Sequence, residues 1–227
     1  MFIKARETEY NGYLFRSRLE ARWAVFFDAL GISYMYELET FKFDDGTQYL
    51  PDFWMPDQDC WIEIKPFSPT EEEEHKAQLL ADATRKRVFI FYGEPRVPSF
   101  ADDCDSAWVK WPRCEDDLER ARELVANGKA EAIGWGDYGY LWCECRHCGA
   151  LGIEFDGRSA RLPCCKAVRP LPDGHPDKDY NYDSPRLRAA YKKAKQARFE
   201  FGATPMPAKK KPVKKTKKKE ACRCSSN

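Results

Sequence analysis

The stretch YLPDFWMPDQDCWIEIKPF, residues 49–67, predicts two short strands joined by a turn. The first strand carries Asp52, and the second carries Glu63 and Lys65 two residues apart. Because side chains alternate across a strand, Glu63 and Lys65 share one face, while the neighbouring isoleucines share the other. The isoleucines indicate a core-facing side. An acid and a base are therefore expected to project together from the opposite side.

This polar face has the composition of a small metal site. Asp52 and Glu63 lie on adjacent strands and supply the hard oxygen ligands that divalent cations such as Mg²⁺ or Mn²⁺ prefer, with the amine of Lys65 beside them. Alternating charge on a strand is common, however, so the triplet Glu63-x-Lys65 is a weak signal when it is taken alone.

Upstream of this stretch, the sequence predicts an amphipathic helix. Ser17 is a good N-cap, Ser17-x-x-Glu20 fits a capping box, and Gly31 ends the segment. The apolar residues follow helical spacing at Leu19, Trp23, Phe26, Phe27 and Leu30. Before the helix, residues 1–15 are expected to be irregular, with a turn at Asn11-Gly12.

More elements are predicted on either side of residues 49–67. Ser33–Glu39 alternates like a strand that Phe41–Phe43 could extend, and residues 44–46 form a hairpin-turn signal. Thr70 is expected to cap a second helix, which residues 87–92 follow as a buried strand.

The ordered set of this helix, a strand after Gly31, the Pro51-Asp52 strand and the Glu63-x-Lys65 strand resembles the PD-(D/E)XK nuclease superfamily. The order is similar to that of the phage-encoded endonuclease I type of junction resolvase, and the resemblance covers roughly residues 10–93. It implies an α/β fold with a restriction-endonuclease-like core, in which helices flank a mixed central sheet in the order αβββαβ. Pro66 departs from the glycine often found at that place.

The resemblance also implies an activity. The chain is expected to be a phage or prophage DNA endonuclease that hydrolyses phosphodiester bonds with Mg²⁺ or Mn²⁺ held by Asp52 and Glu63. Lys65 would orient the attacking water, help to deprotonate it and stabilise charge on the phosphate. Glu20 either binds metal, as the matching family glutamate does, or only caps its helix. Arg16 and Arg18, on either side of the cap residue, are expected to bind DNA.

Three other functions stay open. The chain could resolve Holliday junctions or other branched DNA, for which the resembled resolvases work as homodimers. It could also be a catalytically inactive, zinc-containing nucleic-acid-binding protein. The third alternative is a zinc-stabilised structural or assembly protein with incidental strand charges.

A cysteine cluster predicts a zinc-ribbon-like β module with structural Zn²⁺. Cys145-x-x-Cys148-Gly149 forms a knuckle, and fifteen residues separate it from Cys164-Cys165. Because the second pair is adjacent, one member could be a spectator replaced by Cys143, His147 or His175. A redox Cys-x-x-Cys is the rival interpretation, but such motifs usually begin a helix after a strand.

The C-terminal part is basic. Ser184-Pro185 starts a predicted helix whose exposed side carries Lys192, Lys193 and Lys195, either as a solvated face or as a DNA-binding surface. Eight lysines and Arg223 against Glu220 give residues 204–227 a charge of +8, which leaves −7 for the rest of a chain whose net charge is +1. This Lys-rich tail is expected to be disordered, and either to bind phosphates or only to aid solubility.

The predicted organisation has four parts. They are a nuclease-like domain (1–135), the zinc-ribbon-like module (136–168), a linker with the basic helix (169–203) and the tail (204–227). No apolar run approaches the about 20 residues that span a bilayer, and the N-terminus lacks a signal-type segment. The sequence therefore predicts a cytoplasmic protein that does not associate with membranes.

Overall fold

The computed structural model describes residues 5–98, 107–113, 140–146, 148–155 and 180–199. Within these ranges the protein is mixed α/β, with three helices, a five-stranded mixed sheet, a three-stranded sheet and two small hairpins. None of the helices in these ranges combines the length and the apolar character needed to cross a membrane.

The helices are α1 (Arg18–Leu30), α2 (Glu71–Thr84) and α3 (Pro185–Lys195). The strands are β1 (Thr8–Tyr10), β2 (Tyr13–Phe15), β3 (Met35–Tyr36), β4 (Phe41–Lys42), β5 (Gln48–Tyr49), β6 (Phe53–Met55), β7 (Cys60–Lys65), β8 (Arg87–Tyr92), β9 (Trp108–Lys110), β10 (Tyr140–Cys145), β11 (Leu151–Phe155) and β12 (Tyr180–Asn181).

The central sheet has the order β3-β6-β7-β8-β9. β6 and β7 pair as an antiparallel hairpin, whereas β7 and β8 are parallel over six residue pairs. Parallel neighbours need a crossover connection, and α2 supplies it. Apart from the β4–β5 hairpin between β3 and β6, the elements from α1 to β8 run in the order of one helix, three strands, one helix and one strand.

The ends of α1 follow directly from its sequence. Ser17 has an extended backbone, and its hydroxyl accepts a hydrogen bond from the backbone N–H of Glu20, as an N-cap does. At the other end Gly31 adopts a left-handed conformation (φ 72°) that glycine reaches without a steric cost, and its N–H returns to the carbonyls of Phe27 and Asp28. Both predicted helix boundaries are confirmed.

The two faces of β7 belong to different packing layers. Ile62 and Ile64 join the large hydrophobic cluster that contains the apolar side of α1. Trp61, on the opposite face, packs in a second cluster with Leu80 of α2. The predicted alternation is therefore confirmed, but Glu63 is buried as well, although its face was expected to be open.

Two predicted loop and strand assignments are wrong. The turn at Asn11 (φ 51°) and Gly12 (φ 80°) is confirmed, but the lead-in is a hairpin of β1 and β2, because a two-residue turn of this kind suits the twist of paired strands. The Ser33–Glu39 strand shrinks to Met35–Tyr36, because Glu37 takes a left-handed conformation (φ 46°) that leaves the strand path. Phe41–Lys42 pairs with Gln48–Tyr49 instead.

The C-terminal helix α3 packs on α1. Ser184 caps α3, and Pro185 occupies its first turn, as predicted. The rings of Phe26 and Tyr191 stack with centroids 4.4 Å apart, and an Arg186 amino group donates to the Leu30 carbonyl at 2.7 Å. The N-terminal part of α3 thus contacts the C-terminal end of α1, so the two helices pack antiparallel.

The remaining described strands form a three-stranded sheet in the order β11-β10-β12. Trp142 of β10 and Ile153 of β11 reach the same hydrophobic cluster as α1 and α3. The proposed part boundaries at 135/136, 168/169 and 203/204 fall outside the described residues, as does the whole Lys-rich tail.

Candidate active site

Two of the three predicted acidic metal ligands, Asp52 and Glu63, lie together and are almost completely buried. Asp52 immediately precedes β6, and Glu63 is on β7, the neighbouring strand. The backbone N–H of Asp52 donates to Glu63 Oε2 at 3.2 Å, and the N–H of Ile64 donates to Asp52 Oδ2 at 2.7 Å. One oxygen of each carboxylate therefore accepts a hydrogen bond from a backbone N–H in the segment that carries the other carboxylate.

The second oxygen of each carboxylate meets a cationic side chain. Arg16 Nη2 lies 2.6 Å from Asp52 Oδ1, and Lys65 Nζ lies 2.8 Å from Glu63 Oε1. The Arg16 side chain is 52% exposed, whereas that of Asp52 is 3% exposed. The Asp52 and Glu63 oxygens thus face two cationic side chains, Arg16 and Lys65, which are themselves partly exposed to solvent.

Glu20 approaches the same site from the first turn of α1. Its Oε1 accepts a hydrogen bond from the Ser17 hydroxyl at 2.6 Å. Its Oε2 accepts bonds from the Tyr36 hydroxyl at 2.5 Å and from the Arg16 backbone N–H at 3.2 Å. Glu20 therefore takes part in the cap through the Ser17 side chain, and it lies close enough to Asp52 to raise the pKa of that residue.

The protonation states follow from burial and from this crowding. Burial raises the pKa of Asp52 well above its ordinary value, and the charges of Glu63 and Glu20 raise it further. For Lys65, desolvation acts to lower the pKa, but Glu63, Asp52 and Glu73 together outweigh it, so the pKa is raised. Lys65 is consequently held as an ammonium.

Sequence reasoning missed Tyr49, whose side chain is hydrogen-bonded to Glu63, and three further residues of the site. Glu37 Oε1 lies 2.6 Å from Arg16 Nε, and Glu73 Oε1 lies 3.2 Å from Lys65 Nζ. The third is Tyr36, whose hydroxyl joins Glu20 to the Arg16 backbone. The capping-box spacing from Thr70 could have indicated a helix role for Glu73, but no local signal predicts the contact of Glu37 with Arg16.

The donor set fits a hard divalent cation. The acidic groups offer only oxygen atoms, and two of those oxygens, on Asp52 and Glu63, pair with side-chain cations. Across the described ranges, no three His, Cys, Asp or Glu side chains are already arranged around one point as metal ligands. A cation would therefore have to replace a side-chain cation at these oxygens.

In the described part of the cysteine cluster, the backbone turns back between Cys145 and Ala150. Cys143 and Cys145 are buried on β10, and Cys148 is exposed. The N–H of Gly149 (φ 69°) donates to the Cys145 carbonyl, and the N–H of Cys145 donates to the Ala150 carbonyl. The other proposed zinc ligands, Cys164, Cys165, His147 and His175, lie outside the described residues.

The proposed DNA-binding residues lie in two places. Arg16 precedes the cap of α1, and Arg18 is in the first turn. Lys192, Lys193 and Lys195 are exposed in the second half of α3. The two helices α3 and α1 run antiparallel. The basic half of α3 therefore lies beyond the contact of Tyr191 with Phe26, towards the end of α1 that carries Glu20.

Comparison of the chain with protein-family models, with curated proteins and with solved structures gives no match.

Proposed function

We propose that this chain is a metal-dependent DNA endonuclease with a restriction-endonuclease-like core. The observation that carries the proposal is the convergence of Asp52, Glu63 and Lys65 from two paired strands with Glu20 from α1. Buried carboxylates that crowd one another are costly unless a cation binds them, and functional sites often accept such a cost.

The acidic residues would hold the cation. Asp52 and Glu63 would bind Mg²⁺ or Mn²⁺, and Glu20 would add a ligand or bind a coordinated water. When bound, the metal would lower the pKa of the attacking water and neutralise charge that develops at phosphorus. The burial of Asp52 and Glu63 keeps these charges poorly screened, which strengthens their attraction for a cation.

Lys65 acts as an electrostatic group in this proposal. Its raised pKa makes a neutral, proton-accepting amine rare near neutral pH. The ammonium can instead donate a hydrogen bond to the attacking water or to a phosphate oxygen. Glu63 and Glu73 hold the ammonium from two sides, which fixes its position before substrate arrives.

The other parts would serve DNA binding. A zinc-ribbon-like module built on the Cys145–Cys148 knuckle would be a structural Zn²⁺ site. The lysines of α3 and those of residues 204–227 would contact phosphates. Branched DNA and a homodimeric resolvase remain outcomes of the test below.

The test is a cleavage panel on linear, nicked, flapped and four-way DNA with Mg²⁺, Mn²⁺ or chelator. We expect metal-dependent cleavage that Lys65→Met reduces by at least about 100-fold, since it removes an interaction with developing charge. Lys86→Met is the matched control, because Lys86 also forms an ion pair, with Asp59, but at the opposite end of β7.

Each other result has a defined meaning. Equal cleavage by the wild type and Lys65→Met, or cleavage in chelator, would overturn the proposal. DNA binding by the wild type without cleavage of any substrate would support the inactive binding protein. Absence of DNA affinity at low salt would support the structural protein.

A further inference from the structure

Arg16 links two acidic residues at the mouth of the site. Its Nη2 lies 2.6 Å from Asp52 Oδ1, and its Nε lies 2.6 Å from Glu37 Oε1. One guanidinium thus pairs with two acidic residues that belong to different loops. About half of its side chain is in contact with solvent.

The position of Glu37 is specific to this contact. Glu37 has a left-handed backbone (φ 46°), an uncommon conformation for a residue with a side chain. The hydrogen bond from its N–H to the Asp52 carbonyl, at 2.9 Å, holds it there. Glu37 is therefore hydrogen-bonded to Asp52, the residue that precedes β6. Its carboxylate is the second ion-pair partner of Arg16.

Arg16 is the most easily removed partner of Asp52. The other hydrogen bond to the Asp52 carboxylate comes from the backbone of Ile64, inside the sheet. The side chain of Arg16 approaches from solvent and is about half exposed. A divalent cation that binds Asp52 Oδ1 supplies positive charge in place of the guanidinium, so the buried carboxylate keeps a cationic partner when Arg16 leaves.

We propose that Arg16 is a phosphate-binding residue that the metal releases. Without metal, Asp52 and Glu37 neutralise Arg16 and hold it over the site. When metal binds Asp52, the guanidinium turns outwards and binds a DNA phosphate with its planar donors. Metal and DNA thus bind with positive coupling through one side chain. This inference rests on the proposed function.

The coupling can be measured without catalysis. Affinity for a fluorescent DNA substrate is measured in chelator and in Ca²⁺, a cation that takes similar oxygen ligands, and the DNA is checked for cleavage on a gel. For the wild type we expect Ca²⁺ to tighten binding by about 10-fold or more, within the usual range of coupling between sites. In Arg16→Gln this ratio should fall at least about fivefold, while affinity for Ca²⁺ alone rises.

Two further variants separate this role from general effects. Lys193→Gln removes a positive charge on α3, so it should weaken DNA binding equally with and without Ca²⁺ and leave the ratio unchanged. Arg16→Lys keeps the charge but cannot bridge two carboxylates with a planar fork, so its ratio should lie between those of the wild type and Arg16→Gln.

The outcomes distinguish this inference from the proposed function. If Arg16→Gln has the wild-type ratio while the wild type cleaves DNA with Mg²⁺, Arg16 is a structural bridge, and only this inference fails. If the wild type neither binds Ca²⁺ nor cleaves DNA with any metal, both fail. A loss of thermal stability in Arg16→Gln with an unchanged ratio also contradicts the exchange.

Discussion

The ammonium of Lys65 lies 3.2 Å from Oε1 of Glu73, a residue in the first turn of α2. The other oxygen of Glu73 accepts hydrogen bonds from the backbone N–H and the hydroxyl of Thr70, which closes a capping box. The Glu73 carboxylate therefore both caps the start of α2 and pairs with Lys65 of the candidate site.

The first prediction concerns this double role. In Glu73→Gln the carboxamide oxygen can still accept from Thr70, so we expect the free energy of unfolding to change by less than about 0.5 kcal/mol. Lys65 loses a negative neighbour, so its pKa falls and its position loosens. We expect kcat to drop about 10-fold and the alkaline limb of the pH–rate profile to move to lower pH.

Glu72→Gln is the control for this prediction, because Glu72 is adjacent but pairs with Lys76 on the surface of α2. Its kcat and pH profile should match those of the wild type. Equal effects of the two substitutions would contradict a specific role for Glu73.

The second prediction concerns Asp52 and pH. The pKa of Asp52 is raised on folding, so this residue contributes stability that is fully present below its unfolded pKa of about 3.9 and is lost as pH rises through its higher folded pKa. Asp52→Asn cannot ionise. In chelator we expect its melting temperature at pH 8 to exceed that of the wild type by about 2–4 °C, equivalent to about 1 kcal/mol.

This difference should disappear below about pH 4, where Asp52 is protonated in both folded and unfolded states. Added Mg²⁺ should stabilise the wild type by about 2.7 kcal/mol at 100 times its dissociation constant, and the variant much less. Scanning calorimetry across pH tests both statements. A variant that is less stable than the wild type at pH 8 but equally stable below about pH 4 would show that Asp52 stabilises the fold as an anion.

The third prediction concerns zinc. If Cys148 is a ligand, Cys148→Ser should lower the metal content of the purified protein from one zinc per chain to much less than one. Cys60→Ala is the control, because Cys60 is buried in β7, where burial raises the pKa of its thiol to about 12. Elemental analysis gives the stoichiometry, and the same zinc content in both variants would exclude Cys148 as a ligand.

The fourth prediction concerns the basic half of α3. Replacing Lys192 and Lys193 by Glu should weaken DNA binding and reduce the slope of log K against log salt by about 1–2, since each phosphate contact contributes about 0.9. Lys42→Glu, a substitution of an exposed lysine on β4, is the control. Binding titrations at several salt concentrations check this, and unchanged slopes would identify the lysines as a solvated face.

The sequence was most informative where local chemistry decides the structure. The cap at Ser17, the end of α1 at Gly31 and the alternation along β7 are all local, and each was predicted correctly. Failures arose where a distant contact decides. Glu37 leaves its strand to bond with Asp52, and the carboxylate of Glu73 reaches Lys65 across a loop. Neither pairing has a signature in residue spacing.

The candidate site lies where two separately packed layers meet. Glu20 is carried by the layer that includes Phe26, whereas the Glu73 that positions Lys65 is carried by the layer that includes Leu80. A shift of one layer against the other by a fraction of an ångström would change the spacing of Glu20 and Glu73 without any substitution at these residues. Misplacements of about 1 Å can reduce reaction rates about 100-fold. Under the proposed function, conservative replacements deep in either interior would therefore change the cleavage rate, and searches for altered turnover need not begin at the charged residues.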